Sequence, residues 1–367
     1  MTPNLARADD ARDDAPPGAS EEPDYARAHP LTMFGLDALI AGSARLRPER
    51  AALADHGEDG CAILAFAELD FAISAFVARL REFDIEPGAR VLLCCPPRAQ
   101  ALIAITAIVA AGFEPVLAPL GLPEGALIVA ANATQAEALM APARFAKLDF
   151  EQTLLGVAAQ CPSIRLLGAL SPEPIDGAAD FSPQGPRARP RSPPTSVNMI
   201  SENWTPGDRA MIGAVDASGA PAFLAQGALL ATGLDLARKT RQGGAAPIVS
   251  LVSPGSFGGL IAGPLAALLS SATLHFLAPF RADAFLRLLD EIGPVRLVAP
   301  RAILPDLAKS GLLDNGALLS CTALSQPNDA PLPTLAEGTC PVIEIAGAGA
   351  SLRISSHVRV DDDARVA

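Results

Sequence analysis

The sequence predicts an α/β fold of two subdomains, each a mainly parallel β-sheet flanked by helices. The run VLLCCPP (residues 91–97) is of strand length and continuously apolar, and EPVLAPL (residues 114–120) reads as a second buried strand, as strands buried on both faces do. Between them AQALIAITAIVAAG (residues 99–112) is a helical run stopped by Gly112, so strand, helix and strand follow in the order of a parallel crossover. The same alternation returns after residue 245, and a proline-rich stretch separates the two halves.

Taken in order, residues 1–30 mix charges with Pro16, Pro17, Gly18 and Pro23 and read as a disordered acidic tail. Leu36, Leu39, Ile40 and Ala44 recur at helical spacing up to Leu46. Ala51–Asp55 and Ile63–Phe66 read as strands around a GEDG turn. A helix follows over residues 66–83, with Leu69, Ile73, Phe76, Val77 and Leu80 on one side. After the two buried strands, Asn132–Met140 and Phe150–Gln160 are expected to be helices. Residues 31–170 form the first subdomain in this reading, and residues 171–200 a proline-rich link containing Arg187, Arg189 and Arg191. The second subdomain spans residues 201–355. There PIVSLVS (247–253), ATLHFLAPF (272–280), VRLVAP (295–300) and ALLSCTAL (317–324) read as strands, with helices between the first three. Residues 356–367, with Asp361, Asp362 and Asp363, read as a second acidic tail.

Composition narrows the function. The 367 residues are 50% hydrophobic, enough for a large core, and the formal net charge of −12 disfavours nucleic acid and anionic membranes as partners. Six cysteines (Cys61, Cys94, Cys95, Cys161, Cys321, Cys340) include no CxxC pair and read as reduced, mostly buried thiols of a cytoplasmic protein. The neighbours Cys94 and Cys95 are the pair best placed to hold a soft metal or sense redox, against the plainer reading of two core thiols. The N-terminus lacks the basic-then-apolar order of a secretory leader. Residues 243–280 contain no Asp, Glu, Lys or Arg, but Pro247, Pro254, Gly255, Gly258, Gly259 and Pro264 divide the stretch, so a buried strand–helix–strand unit is expected rather than a membrane span. With only His29, His56, His275 and His357 and no GxSxG, no serine hydrolase constellation can be assembled.

Residues 211–232 read MIGAVDASGAPAFLAQGALLAT: an apolar opening, small residues with glycine, a proline, then an Ala/Leu run. Strand, small-residue loop and helix in that order would present backbone N–H groups to phosphate at a helix N-terminus. The stretch resembles the phosphate loop of the adenylate-forming enzymes, T-S-G-[ST]-[TE]-G-x-P-K-G, with Ser218, Gly219, Ala220 and Pro221 keeping the S-G-x-P part. Further tags stand in the family's order: Arg47-Pro48 through Leu53, Phe66-Ala67-Glu68-Leu69, Pro87-Gly88-Ala89-Arg90-Val91 and Ala111-Gly112. The chain is thus similar to the large N-terminal domain of acyl-CoA synthetases over about residues 36–354.

What the resemblance implies is an ATP-dependent carboxylate activation in which an acyl-adenylate passes to CoA or a carrier thiol. Such chemistry needs cations and N–H donors around phosphate oxygens. At the matching positions Ala222 replaces the loop lysine, Asp216 replaces a loop glycine, and Gly255 or Ser256 replaces a histidine. The adenine-stacking tyrosine, the threonine and the Mg²⁺-binding glutamate map to Ala346, Gly349 and Ala350, with Gly347 retained, and the family's C-terminal domain has no counterpart. The expectation is therefore a degenerate member that does not adenylate, acting as a binding or accessory protein with an acyl or acyl-CoA ligand, a carrier protein or a ligase as partner. Ser218, Gly219, Pro221 and Gly347 would line the vestigial nucleotide cleft, and Ser256, Phe257 and Gly258 its acyl side. No catalytic residue, metal ligand or cofactor is expected. The alternative is an active acid–thiol ligase with altered phosphate contacts, completed by a partner, and only that alternative needs ATP or AMP with Mg²⁺.

Overall fold

Helix α1 (Leu36–Leu46) buries Leu36 and Ile40, and the hairpin β1 (Ala51–Gly57) and β2 (Gly60–Ala65) follows it. Helix α2 (Phe66–Leu80) buries Phe66, Leu69, Ile73, Phe76, Val77 and Leu80, the stripe its apolar spacing requires. The Glu68 carboxylate accepts from the Ala65 amide at its start. Strands β3 (Arg90–Cys95) and β4 (Glu114–Pro119) flank helix α3 (Ala99–Ala110), and Gly112 supplies the positive φ that turns the chain back. The computed structural model describes residues 30–57, 60–182, 211–240, 246–326, 329, 340–347 and 352–356. The tail expected before residue 30, most of the proline-rich link and all of the C-terminal acidic tail but Ser356 therefore lie outside the described residues.

One helix expectation is corrected. Asn132–Met140 is not a helix; α4 spans Glu124–Thr134 and β5 spans Ala138–Ala141. Pro123, which lacks an N–H, stands at the N-cap, and Gln135 in the left-handed region ends the helix. The four apolar residues of β5 are all buried between strands, so their run carries no strand period. Helix α5 (Glu151–Gln160) follows the short hairpin β6 (Arg144–Phe145) and β7 (Leu148–Asp149), and β8 (Leu166–Ala169) then pairs with β5. The first part of the expected link is ordered sheet: β9 (Ala179–Asp180) pairs with β8, burying Phe181 beside Phe76.

Beyond the link come β10 (Ile212–Val215), β11 (Pro221–Leu224) and helix α6 (Gln226–Lys239). Strand β12 (Ile248–Ser250) leads to a continuous helical stretch, α7 (Phe257–Leu260), a π turn at Ile261–Leu265 around Pro264, and α8 (Ala266–Ser270). Pro264 has no N–H to donate, which favours such a wide turn. Strand β13 (Leu274–Leu277), helix α9 (Ala282–Ile292), β14 (Val295–Pro300), α10 (Leu304–Lys309), β15 (Leu318–Leu324), β16 (Val342–Ala346) and β17 (Arg353–Ser356) complete the chain. Residues 246–280 thus supply strands and a broken helix, and among the described residues no helix is long and apolar enough to cross a membrane.

Two large sheets result. One has eight strands in the order β17-β16-β15-β14-β12-β13-β1-β2, and the other seven in the order β11-β10-β4-β3-β5-β8-β9. Pairing is parallel except at β16–β17, β1–β2 and β10–β11. The chain exchanges strands between the sheets. The β1–β2 hairpin joins the later sheet through β13, while β10 and β11 join the earlier one through β4. One apolar cluster, including Leu93, Leu102, Ile105, Leu229, Leu260 and Phe276, runs between them. Aligned parallel strands gather their carboxyl ends at one edge, the usual ligand edge of such sheets.

Candidate functional site

Strand β10 pairs with β4, so the turn after Val215 emerges beside the carboxyl end of β4. The expected strand–loop–helix layout is corrected here. Residues 221–224 form β11, antiparallel to β10 with Ala214 opposite Ala222 and Val215 opposite Pro221, and helix α6 begins only at Gln226. The turn at residues 216–220 is a hairpin loop, and its N–H groups do not belong to a helix N-terminus.

That turn is closed by its own carboxylate. Asp216 Oδ1 accepts from the Ser218 amide at 2.8 Å, the Ser218 hydroxyl at 2.6 Å and the Ala220 amide at 3.0 Å. The Gly219 amide donates to the Asp216 carbonyl, and the Asp216 amide to the Ala220 carbonyl, both at 3.0 Å. These bonds, the Ser218 hydroxyl first, hold the Asp216 carboxyl below the usual carboxylate range, so it is ionised at neutral pH. Gly219 has a φ of +87°, and a Cβ there would stand 2.1 Å from the Ala126 carbonyl oxygen in α4. Glycine is needed there for its backbone shape and its lack of a side chain. Ala222 is half-buried in β11.

The 253–259 segment crosses the same edge from the other sheet. Ser253 Oγ donates to the Cys95 carbonyl at the end of β3 at 2.5 Å, and Gly255 packs against Ala118 and Pro119 at the end of β4. Ser256 caps α7 by accepting from the Gly259 amide at 3.1 Å. Phe257 is 3% exposed and belongs to the apolar cluster between the sheets. A Cβ on Gly258 would meet Leu324 at 3.3 Å and Ile345 at 3.4 Å, so Gly258 lies against the ends of β15 and β16. Gly347 follows β16, exposed and with a φ of +97°. The structure thus joins Gly258 to the strands that lead to Gly347, while the hydrogen bonds of Ser218 stay within its own turn. Gly349 and Ala350 lie outside the described residues.

Three features were not read from the sequence. At the ends of β14, β15 and β16, Arg301 donates from Nη1 to Glu344 Oε1 at 2.5 Å and to Ser325 Oγ at 3.2 Å, and Ser325 Oγ also donates to Glu344 Oε1. His56 and His275, on neighbouring strands β1 and β13, hydrogen-bond through Nε2 and Nδ1 at 3.0 Å. Burial, then the neighbouring His56, pushes His275 down to about 4. Asp55 accepts from the Ala99 amide at the start of α3 at 2.9 and 3.1 Å, and burial pushes it up to about 6 against the pull of that amide and of Arg98. The signals were a strand-embedded glutamate and two strand histidines, but their partners are remote in sequence. Five of the six cysteines are buried, and burial pushes Cys94 up to about 12. Among the described residues no group of three or more His, Cys, Asp or Glu is arranged to hold a metal ion.

The profile of the family described as AMP-binding enzyme matches residues 40–206. A salicyl-AMP ligase / salicyl-S-ArCP synthetase from Mycobacterium tuberculosis is 40% identical over 83 residues, which is 22% of this chain and 15% of that protein. An apo structure of Mycobacterium smegmatis MbtA superposes with a TM-score of 0.69 at 18% identity, covering 88% of this chain and 59% of that one. Acetoacetyl-CoA synthetase from Streptomyces lividans gives 0.65 at 18% identity, covering 86% and 52%. The chain therefore spans a little over half the length of these structures and a small part of the curated relative.

Proposed function

We infer that this chain, a member of the adenylate-forming superfamily with the fold of its N-terminal domain, does not adenylate and serves as a binding or accessory protein in acyl metabolism. The observation that carries this reading is the Asp216 carboxylate, which takes the Ser218 amide and hydroxyl and the Ala220 amide of the 216–220 turn. A triphosphate there would compete with a carboxylate already seated and held ionised. Two unit charges at 4 Å repel by about 1 kcal/mol in bulk water and about 4 kcal/mol at an effective dielectric of 20. Ala222, at the place of the family's loop lysine, offers no cation in return. The turn does not fit the phosphate chain of ATP.

The acyl role rests on the relatives, which are named a salicyl-AMP ligase / salicyl-S-ArCP synthetase and an acetoacetyl-CoA synthetase. The ligand of this reading is an acyl or acyl-CoA group, and the partner a carrier protein or a ligase. The rival reading is a working acid–thiol ligase with altered phosphate contacts, favoured by the identity to the salicyl-AMP ligase. Calorimetric titration with ATP–Mg²⁺, beside pyrophosphate exchange over a panel of carboxylic acids, separates the two. Saturable acyl-CoA binding without ATP heat or exchange supports the binding protein; robust exchange supports the ligase.

A further inference from the structure

Arg301, directly after β14, is a cation at the carboxyl edge of the eight-stranded sheet, and it is paired inside the protein. Its side chain and that of Glu344 are 13% and 10% exposed. Ser325, directly after β15, bonds to both. Three adjacent parallel strands thus bring an arginine, a hydroxyl and a carboxylate to one point. Glu344 sits in a strand otherwise made of Val342, Ile343, Ile345 and Ala346. The next residue, Ile345, points to the opposite face and meets the Cβ position of Gly258. The ion pair and the 256–258 segment therefore straddle the same strand end.

A buried ion pair is a poor device for stability, because apolar residues of similar volume commonly serve as well or better. A buried arginine is also the side chain best shaped to take a carboxylate in fork geometry. We propose that Arg301 is the anion anchor for a small organic acid, whose carboxylate replaces that of Glu344 on the guanidinium while Ser325 stays as a second donor. The exchange is like for like, a carboxylate for a carboxylate, which favours an organic acid over a phosphate. Glu344 then acts as an internal occupant that sets how tightly the acid is held. This inference rests on the acyl-binding reading and names its ligand class.

The test uses the full chain, with benzoate and hexanoate as probes, benzamide and hexanamide as neutral controls, and AMP and inorganic phosphate as the phosphate arm. Calorimetry on Glu344→Gln is expected to show carboxylate affinity at least about tenfold above wild type, with the amides silent. Glu344→Asp, which keeps the charge but shortens its reach, gives a smaller gain and serves if the glutamine variant does not fold. The apolar double variant Arg301→Met with Glu344→Leu is expected to fold and to lose carboxylate binding. Equal carboxylate affinity in wild type and both Glu344 variants overturns the proposal, as does undiminished binding by the double variant. A gain confined to AMP or phosphate also overturns it. Pyrophosphate exchange by the wild type would instead strike the non-adenylating reading, so the two fail on different measurements.

Discussion

The Asp216 carboxylate takes the Ser218 hydroxyl at 2.6 Å and, through the same oxygen, the Ser218 and Ala220 amides. A turn that could have presented its donors outward has turned them onto its own anion. Hydrogen bonds to a charged acceptor are each worth about 1.5–3 kcal/mol, less where solvent competes, as it does at this exposed turn. Asp216→Ala is therefore expected to lower stability by about 1–2 kcal/mol in urea unfolding, and Asp216→Asn, which keeps an acceptor oxygen, by less.

Gly219 makes a second test of the same turn. Its positive φ and the 2.1 Å approach to the Ala126 carbonyl leave no room for a side chain. Gly219→Ala should cost more than about 2 kcal/mol, because strain and overlap with backbone add together. A stability change below about 0.5 kcal/mol in thermal or urea unfolding would show that the turn does not pack on α4 in this way.

Phe257 is core. Phe257→Ala is expected to destabilise by about 3–5 kcal/mol, the range for a buried phenylalanine. Phe257→Leu should cost much less and leave acyl-CoA affinity within about twofold, since the ring packs between the sheets. A large affinity loss in a fully folded leucine variant would place the ring in the acyl path instead.

The pH profile of stability carries opposed contributions. Asp55 titrates near 6 in the folded chain, above its ordinary 3.8, so its contribution is fully present below about 3.8 and lost as pH rises through 6. His275 titrates near 4, below its ordinary 6.5, so its contribution is present above 6.5 and lost as pH falls through 4. Each is worth at most about 3 kcal/mol, and between pH 4 and 6 they largely cancel. Urea unfolding should show Asp55→Asn losing stability more steeply than wild type on acidification through this window, and His275→Gln gaining it. Parallel profiles for all three proteins would contradict the assignment.

Much of the fold was legible because burial on both faces writes strands as unbroken apolar runs, as in 91–95 and 115–119. The buried stripe of α2 was legible for the same reason at helical period. The helix placed at Asn132–Met140 failed because β5, buried throughout, has no period to distinguish it from a helix. At 211–224 the Ala/Leu content after Pro221 suggested helix, whereas strand pairing with β10 decided the matter. Motif spacing singled out Ser218 and Gly219, but the Ser218 hydroxyl turning inward onto Asp216 has no signal in the sequence. The Arg301–Glu344 pair joins residues 43 apart in sequence, and the His56–His275 pair residues 219 apart. No local pattern reports such meetings.

The central claim is that the 216–220 turn is closed to phosphate by its own carboxylate and carries Ala222 at the place of the family's loop lysine. The most direct test compares ATP–Mg²⁺ affinity, by calorimetry, in wild type, Ala222→Lys, and Ala222→Lys combined with Asp216→Gly. The account predicts no saturable binding to wild type, little from the lysine alone, and a gain of at least about tenfold in the double variant, given two favourable charge changes each worth 1 kcal/mol or more. Saturable ATP–Mg²⁺ binding by the wild type, unimproved in the double variant, would contradict it.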